Sequence, residues 1–127
     1  MKSLTNYINE TENTVKHKEL KDRGEFYVDE NNKLTYCFGT EFYPVNTPNA
    51  IELAEIFITD RNKHIGTSLI NAFIDFAKKI NRKIVLYAAP LSDNMNEDEL
   101  IKFYKKFGFE QDSRINDKHC LIYKNKE

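Results

Sequence analysis

Residues 51–80 read IELAEIFI, then TDRNKHIGT, then SLINAFIDFAKKI, and few arrangements of backbone accommodate that succession. An apolar run of strand length passes through a short polar loop holding Gly66 into a pattern with helical period, which predicts a strand, a loop and a helix N-terminus. Amides at the start of a helix lack intrahelical partners and carry partial positive charge, so an anion placed there gains several hydrogen bonds at once. Gly66 would let such a ligand come close to the main chain. The loop is not a P-loop, because no Gly-Lys-Ser/Thr follows, and it has too few glycines for a dinucleotide fingerprint.

The strand itself poses a problem. Its continuous apolarity predicts burial on both faces, yet it contains Glu52 and Glu55. Alternation with period two places Glu52 on one face with Ala54, Ile56 and Ile58, and Glu55 on the other with Ile51, Leu53 and Phe57. An unpaired carboxylate among large apolar side chains is costly, and one held that way is a candidate general base. Glu55 is the first candidate on this reading and Glu52 the second; a structural hydrogen bond is the alternative for either.

The loop Arg61-Asn62-Lys63-His64-Ile65-Gly66 resembles motif A of the GCN5-related N-acetyltransferases, Arg/Gln-x-x-Gly-x-Gly/Ala, which cradles the pyrophosphate of acetyl-coenzyme A. Arg61 and Gly66 match, while His64 stands where the first glycine usually is. A Cβ there bears on cofactor affinity without removing the backbone donors. Residues 100–109, LIKFYKKFGF, resemble motif B of the same family, and the two resemblances together span residues 51–109. The segment 86–104 is similar to small phage-borne members, anti-CRISPR acetyltransferases among them.

The resemblance implies an α+β fold, a mixed and mostly antiparallel sheet flanked by helices, as a single domain over residues 1–127. Residues 1–23 would be the variable acceptor-side helical region and 51–109 the acetyl-CoA-binding core. It implies acetyl-CoA as donor, held by Phe57, Ile58, Arg61, Asn62, Lys63, His64, Ile65, Gly66 and Thr67. Its pantetheine arm would enter a split between two parallel strands, with Phe57 and Ile58 on the near wall and residues 87–89 on the far one. The acceptor would be a primary amine, of a protein lysine or a small molecule. By family position Tyr104 would protonate the departing thiolate, and a glutamate of the central strand would take the amine's proton. A base is needed because a lysine-like amine at pH 7 is unprotonated only about once in a few thousand molecules. A non-catalytic module of the same fold, binding coenzyme A or a protein partner, is the competing reading.

Around this core the pattern is that of one domain. A chain of 127 residues with 40% hydrophobic and 13% aromatic content suits a single core, burying about two-thirds of its unfolded surface. A formal net charge of −1 argues against a nucleic-acid binder or a polybasic membrane anchor. Cys37 and Cys120 lie far apart without metal-ligand spacing, and no signal peptide or bilayer-length apolar run is present. The expectation is a reduced, cytoplasmic protein, in the host cytoplasm if phage-encoded, with both cysteines as small apolar fillers. His17, His64 and His119 are too scattered for a metal set. Oligomeric state is not legible.

In chain order, residues 1–23 carry a loose helical spacing through Leu4, Tyr7, Ile8, Val15 and Leu20. Residues 24–42 alternate as a hairpin about a turn at residues 30–33. Pro44 and Pro48 bracket a connection that could border a site. A helix over 65–80, a strand over 83–88 and a right-handed crossover predict parallel pairing with the central strand. Asn96 with Glu99 opens a second helix that Gly108 stops, and residues 119–124 form the last strand.

Overall fold

In this computed structural model the described residues are 23–29, 32–57, 63–89 and 96–124. The predicted N-terminal helices, the tip of the first turn, Ile58, Arg61 and Asn62 lie outside them. The elements are β1 (Arg23–Asp29), β2 (Asn32–Phe38), β3 (Ala50–Phe57), α1 (Lys63–Lys79), β4 (Lys83–Tyr87), α2 (Glu97–Lys105), β5 (Glu110–Gln111) and β6 (Cys120–Tyr123). The strands form one sheet in the order β1-β2-β3-β4-β6-β5. Every pairing is antiparallel except β3 with β4, which is parallel across the α1 crossover. The mixed sheet expected from the sequence is therefore the one observed. Among the described residues no helix is long and apolar enough to cross a membrane.

Helix α1 forms because its apolar residues recur at three and four, and that stripe seats on one face of the sheet. Leu69, Ile70, Phe73 and Ala77 are fully buried there with Phe26, Leu34, Ile51 and Ile84 from the strands. Phe26, Tyr36, Phe73 and Phe76 make an aromatic centre with ring centroids 5.4–6.4 Å apart. Each large side chain buried this way contributes about 1.5–3 kcal/mol. Lys78 and Lys79 occupy the last turn of α1, and no acidic residue stands in its first; the lysines complement the helix dipole. Gly24 faces Tyr36 across the β1–β2 pair. A Cβ at that position would lie 2.4 Å from the Tyr36 ring, so only glycine fits.

Helix α2 starts as the sequence predicts: the Asn96 side chain accepts the amides of Asp98 at 2.8 Å and Glu99 at 3.2 Å. Past its end Gly108 takes φ +103°, a value that L side chains rarely adopt. Ile101 and Tyr104 turn into the same core as α1, where the Tyr104 ring meets Phe109 edge-on at 5.7 Å.

The opposite face of the sheet carries a smaller cluster of Tyr43, Ala50, Val85, Cys120 and Ile122. Cys37 and Cys120 are both free and buried, in keeping with their reading as apolar fillers.

Two expectations for the central strand are corrected. Burial on both faces holds only through Leu53; Ala54 and Phe57 are exposed and Glu55 and Ile56 half-buried, because the pairing with β4 ends at Leu53 opposite Leu86. Nor does simple alternation run the length of the strand. Thr35 pairs with Glu55 and Tyr36 with Leu53, so Ala54 is an extra residue on β3, a β-bulge. The bulge resets the parity. Ile56, opposite Leu34, joins the helix-side core with Leu53, whereas Glu55 and Phe57 fall on the other face with Glu52. The two glutamates thus share a face, and Glu55 is not set among Ile51 and Leu53.

Candidate active site

The β3–β4 pair is joined only from Ala50 opposite Lys83 to Leu53 opposite Leu86. Beyond that rung each strand keeps its outer partner. On one side residues 55–57 remain paired with β2, and on the other Tyr87 pairs with Cys120 while the Ala88 amide donates to the His119 carbonyl at 2.8 Å. Past Leu53 and Leu86 no pairing joins the inner edges of the two strands among the described residues, which opens a split, and Ala54, Phe57, Tyr87 and Ala89 are exposed there. Phe57 is 42% exposed and Tyr87 50%, large apolar side chains left uncovered at this opening. Backbone groups on an unpaired inner edge are free to bind an extended chain.

Helix α1 begins at Lys63, earlier than its apolar periodicity suggests, which brings Gly66 into its first turn. Lys63, His64, Ile65 and Gly66 therefore present the amides without intrahelical partners, and Ile65 is buried while Gly66 and Thr67 are half-buried. An edge that can bind an extended amide-bearing arm, a short link, then a helix N-terminus free of acidic residues suit a pantetheine chain and a pyrophosphate in that order.

The three predicted catalytic side chains have different surroundings. Tyr104 is buried, and no described residue hydrogen-bonds its hydroxyl. Burial pushes its pKa far above the ordinary phenol value, so it stays protonated. Glu55 is half-buried one residue past the bulge, where β3 has lost its β4 partner. Glu52 is 5% exposed, and its carboxylate accepts the amide of Phe42 at 2.8 Å. Its pKa is raised, burial outweighing the hydrogen bonding from the loop before β3.

Two further clusters leave little signature in the sequence, since each joins a local pair to residues far away along the chain. Asp112, itself buried, receives both Arg114 Nε and Nη2, at 2.9 and 2.6 Å, and the Tyr43 hydroxyl at 3.0 Å. Arg114 Nη2 also donates to Thr47 Oγ1 at 2.9 Å, which clips the loop before β3 to the turn before β6. The guanidinium lowers the Asp112 pKa to about 2. In the second cluster the His119 ring lies between Asp117, at 2.6 Å from Nδ1, and Glu97, at Nε2. It stacks on Tyr87 at 5.2 Å. Hydrogen bonding to Asp117 first, and then to Glu97, raises the His119 pKa against partial burial. An Asp-x-His pattern at 117–119 was the only local hint.

No protein-family model matches the chain. Against solved structures, it superposes on the anti-CRISPR protein AcrVA5 with a TM-score of 0.66 and 22% identity, covering 80% of this chain and 97% of that one. It superposes on Tetrahymena GCN5 with a TM-score of 0.57 and 16% identity, covering 97% of this chain and 86% of that one. The fold is that of the GCN5-related N-acetyltransferases.

Within that fold, part of the sequence is also shared. Over 62 residues the chain is 42% identical to an uncharacterized N-acetyltransferase of Methanocaldococcus jannaschii, a match spanning 47% of this chain and 26% of that protein. The chain thus matches about a quarter of that relative's length. Of the features that carry the GCN5-related resemblance in sequence, Gly66 falls in the first turn of α1, and Phe103-Tyr104 fall in the last turns of α2, with Phe107-Gly108-Phe109 just past its end.

Proposed function

We propose that this chain is an acetyl-CoA-dependent N-acetyltransferase acting in the cytoplasm on a primary amine, of a protein lysine or of a small molecule. The observation that carries the reading is the split between β3 and β4, open from Leu53 onward and followed along the chain by the acid-free first turn of α1. Acetyl-CoA would supply the acetyl group as a thioester. The inner edge of β3, including Phe57 and the adjoining Ile58, would hold its pantetheine amides. Arg61, Asn62, Lys63, His64, Ile65, Gly66 and Thr67 would hold the pyrophosphate, chiefly through main-chain N–H groups.

In the reaction Glu55 takes the proton from the acceptor amine, directly or through a water. An N–H of the unpaired β3 edge polarises the carbonyl under attack. Tyr104 Oη gives its proton to the departing sulfur; its burial keeps that proton in place at neutral pH. The protein-lysine arm draws on the likeness to the anti-CRISPR protein.

The test is thiol release from acetyl-CoA against polyamines, amino acids, aminoglycosides and lysine-bearing proteins, with mass spectrometry of the acetylated product. Release dependent on one acceptor class supports the reading. Binding of acetyl-CoA by calorimetry with no release on any acceptor would replace it with a non-catalytic module, the reading favoured by His64 in the glycine position of the motif.

A further inference from the structure

Strand β4 runs one residue past Leu86, its last rung with β3, and ends at Tyr87, which pairs with Cys120 of β6. Val85 and Cys120 both belong to the cluster opposite α1, so Tyr87, two residues on from Val85, stands on that face with Glu55 and Phe57. Half of the Tyr87 surface is exposed, at the point where the β3–β4 pairing has ended.

The His119 imidazole covers part of that ring, with centroids 5.2 Å apart and planes 25° from parallel. Its two nitrogens are both engaged, Nδ1 with Asp117 at 2.6 Å and Nε2 with Glu97. Glu97 opens α2, and Lys118 reaches it at 3.6 Å and Asp98 at 3.3 Å. The Ala88 amide donates to the His119 carbonyl at 2.8 Å. Residues 117–119 therefore join the end of β4, beside the split, to the first turn of the helix that carries Tyr104.

Only an imidazolium can donate from both nitrogens at once. A neutral ring has one N–H and turns a lone pair toward the second carboxylate, so loss of one proton breaks one of the two contacts that fix the plane of the ring. The imidazolium also meets the attraction of the Tyr87 ring for a cation, which leaves the exposed part of that ring to a neutral group. An arm of amides and methylenes is such a group.

We propose that His119 is a positioning residue, which in its doubly donating form holds the Tyr87 ring against the arm of acetyl-CoA in the split. The inference rests on the acetyltransferase reading above. Tyr87 makes the contact, His119 acts through it, and the hold on the donor weakens as His119 loses its proton. The charged and titratable groups around His119 are Asp117, Lys118 and Cys120 beside it, Glu97 and Asp98 of α2, and Tyr87 of β4. Of these, Tyr87, Lys118 and Cys120 have raised pKa values and Asp117 a lowered one. Histidine is the group whose ordinary value lies near neutrality.

The test is calorimetry of acetyl-CoA binding from about pH 6 to about pH 8.5. Over the same range the His119 ring is followed by NMR with and without acetyl-CoA. Wild type is compared with His119→Gln, Asp117→Asn and Tyr87→Ala. Wild-type affinity is expected to fall by about tenfold more across the range than that of His119→Gln, whose profile keeps only the titration of the cofactor's own phosphate. By reciprocity, acetyl-CoA is expected to raise the His119 pKa. Asp117→Asn should lower that pKa in the free protein and carry the fall in affinity to lower pH with it. Tyr87→Ala should bind about tenfold more weakly at the acid end, and lose the excess pH dependence while His119 still titrates.

A wild-type His119 pKa that bound acetyl-CoA leaves unmoved overturns the proposal, and that measurement needs no variant to fold. So does a pH profile of binding shared by wild type and His119→Gln. A wild-type chain that binds no acetyl-CoA at any pH overturns the acetyltransferase reading and the positioning role together. Binding without linkage to His119 removes the positioning role alone.

Discussion

Leu53 and Glu55 are two positions apart on β3, the spacing that puts strand residues on one face, yet Leu53 packs toward α1 and Glu55 lies on the opposite face. The Ala54 bulge between them also coincides with the end of the β3–β4 pairing. One extra residue therefore moves a carboxylate out of the core and releases a strand edge at the same point.

For the base, Glu55→Gln should lower kcat by about 10²–10⁴-fold while leaving acetyl-CoA affinity unchanged. The deficit should be largest at low pH, where neutral amine is scarcest. Rates across pH, paired with calorimetry, check this; equal turnover of variant and wild type would remove Glu55 from the mechanism.

For the acid, Tyr104→Phe deletes a buried hydroxyl that no described residue hydrogen-bonds. The variant should melt close to wild type, since the ring packing is kept and no hydrogen bond to a described residue is lost. Its chemical step should slow by about 10²–10⁴-fold. Normal single-turnover rates would reduce Tyr104 to a packing residue.

Asp112 should govern acid stability. Its folded pKa of about 2 lies below the unfolded value of about 3.9. The stabilisation is therefore present above the unfolded value and is lost as pH falls from there through the folded value. Asp112→Ala, which strands the Tyr43 hydroxyl in the smaller core, should lower stability by about 1–3 kcal/mol at neutral pH. Urea titrations of wild type and variant should converge as pH drops toward 2.

His119 should act with the opposite sign. Its pKa is raised in the fold by Asp117 and Glu97, so its contribution is fully present below the unfolded value of about 6.5 and fades as pH rises through the higher folded value. Melting temperatures of wild type and His119→Gln should differ most at mildly acid pH and draw together in alkali. A difference independent of pH would mean that the imidazolium is not what ties Glu97 of α2 to the end of β6.

What the sequence reveals is what is local. The periodic stripe of α1, the Asn96 cap and Gly108 stop of α2, and the alternation of the β1–β2 hairpin all act within a turn or a strand, and each element formed close to its expected bounds. The split was legible through family resemblance to motif A, joined to the parallel pairing that a strand-helix-strand crossover dictates. The bulge was not, because register is set by the partner strand: only Thr35 and Tyr36 on β2 reveal that Ala54 is supernumerary. Two glutamates three apart in an apolar strand were nonetheless a hint, since regular alternation would have buried one of them. The Tyr43–Asp112 and Glu97–His119 contacts join residues brought together only by the finished sheet.

Among the described residues four consecutive rungs, Ala50 with Lys83 through Leu53 with Leu86, make up the ladder between the half-sheet β1-β2-β3 and the half-sheet β4-β6-β5. Mechanically this is a seam sewn along part of its length, with α1 laid across both halves. A ligand seated in the unsewn part would act as a splint that the unfolded chain cannot hold, and would deepen the native well by mass action. The abundance of this protein in a cell would then track the supply of that small molecule, with the empty chain cleared sooner than the filled one.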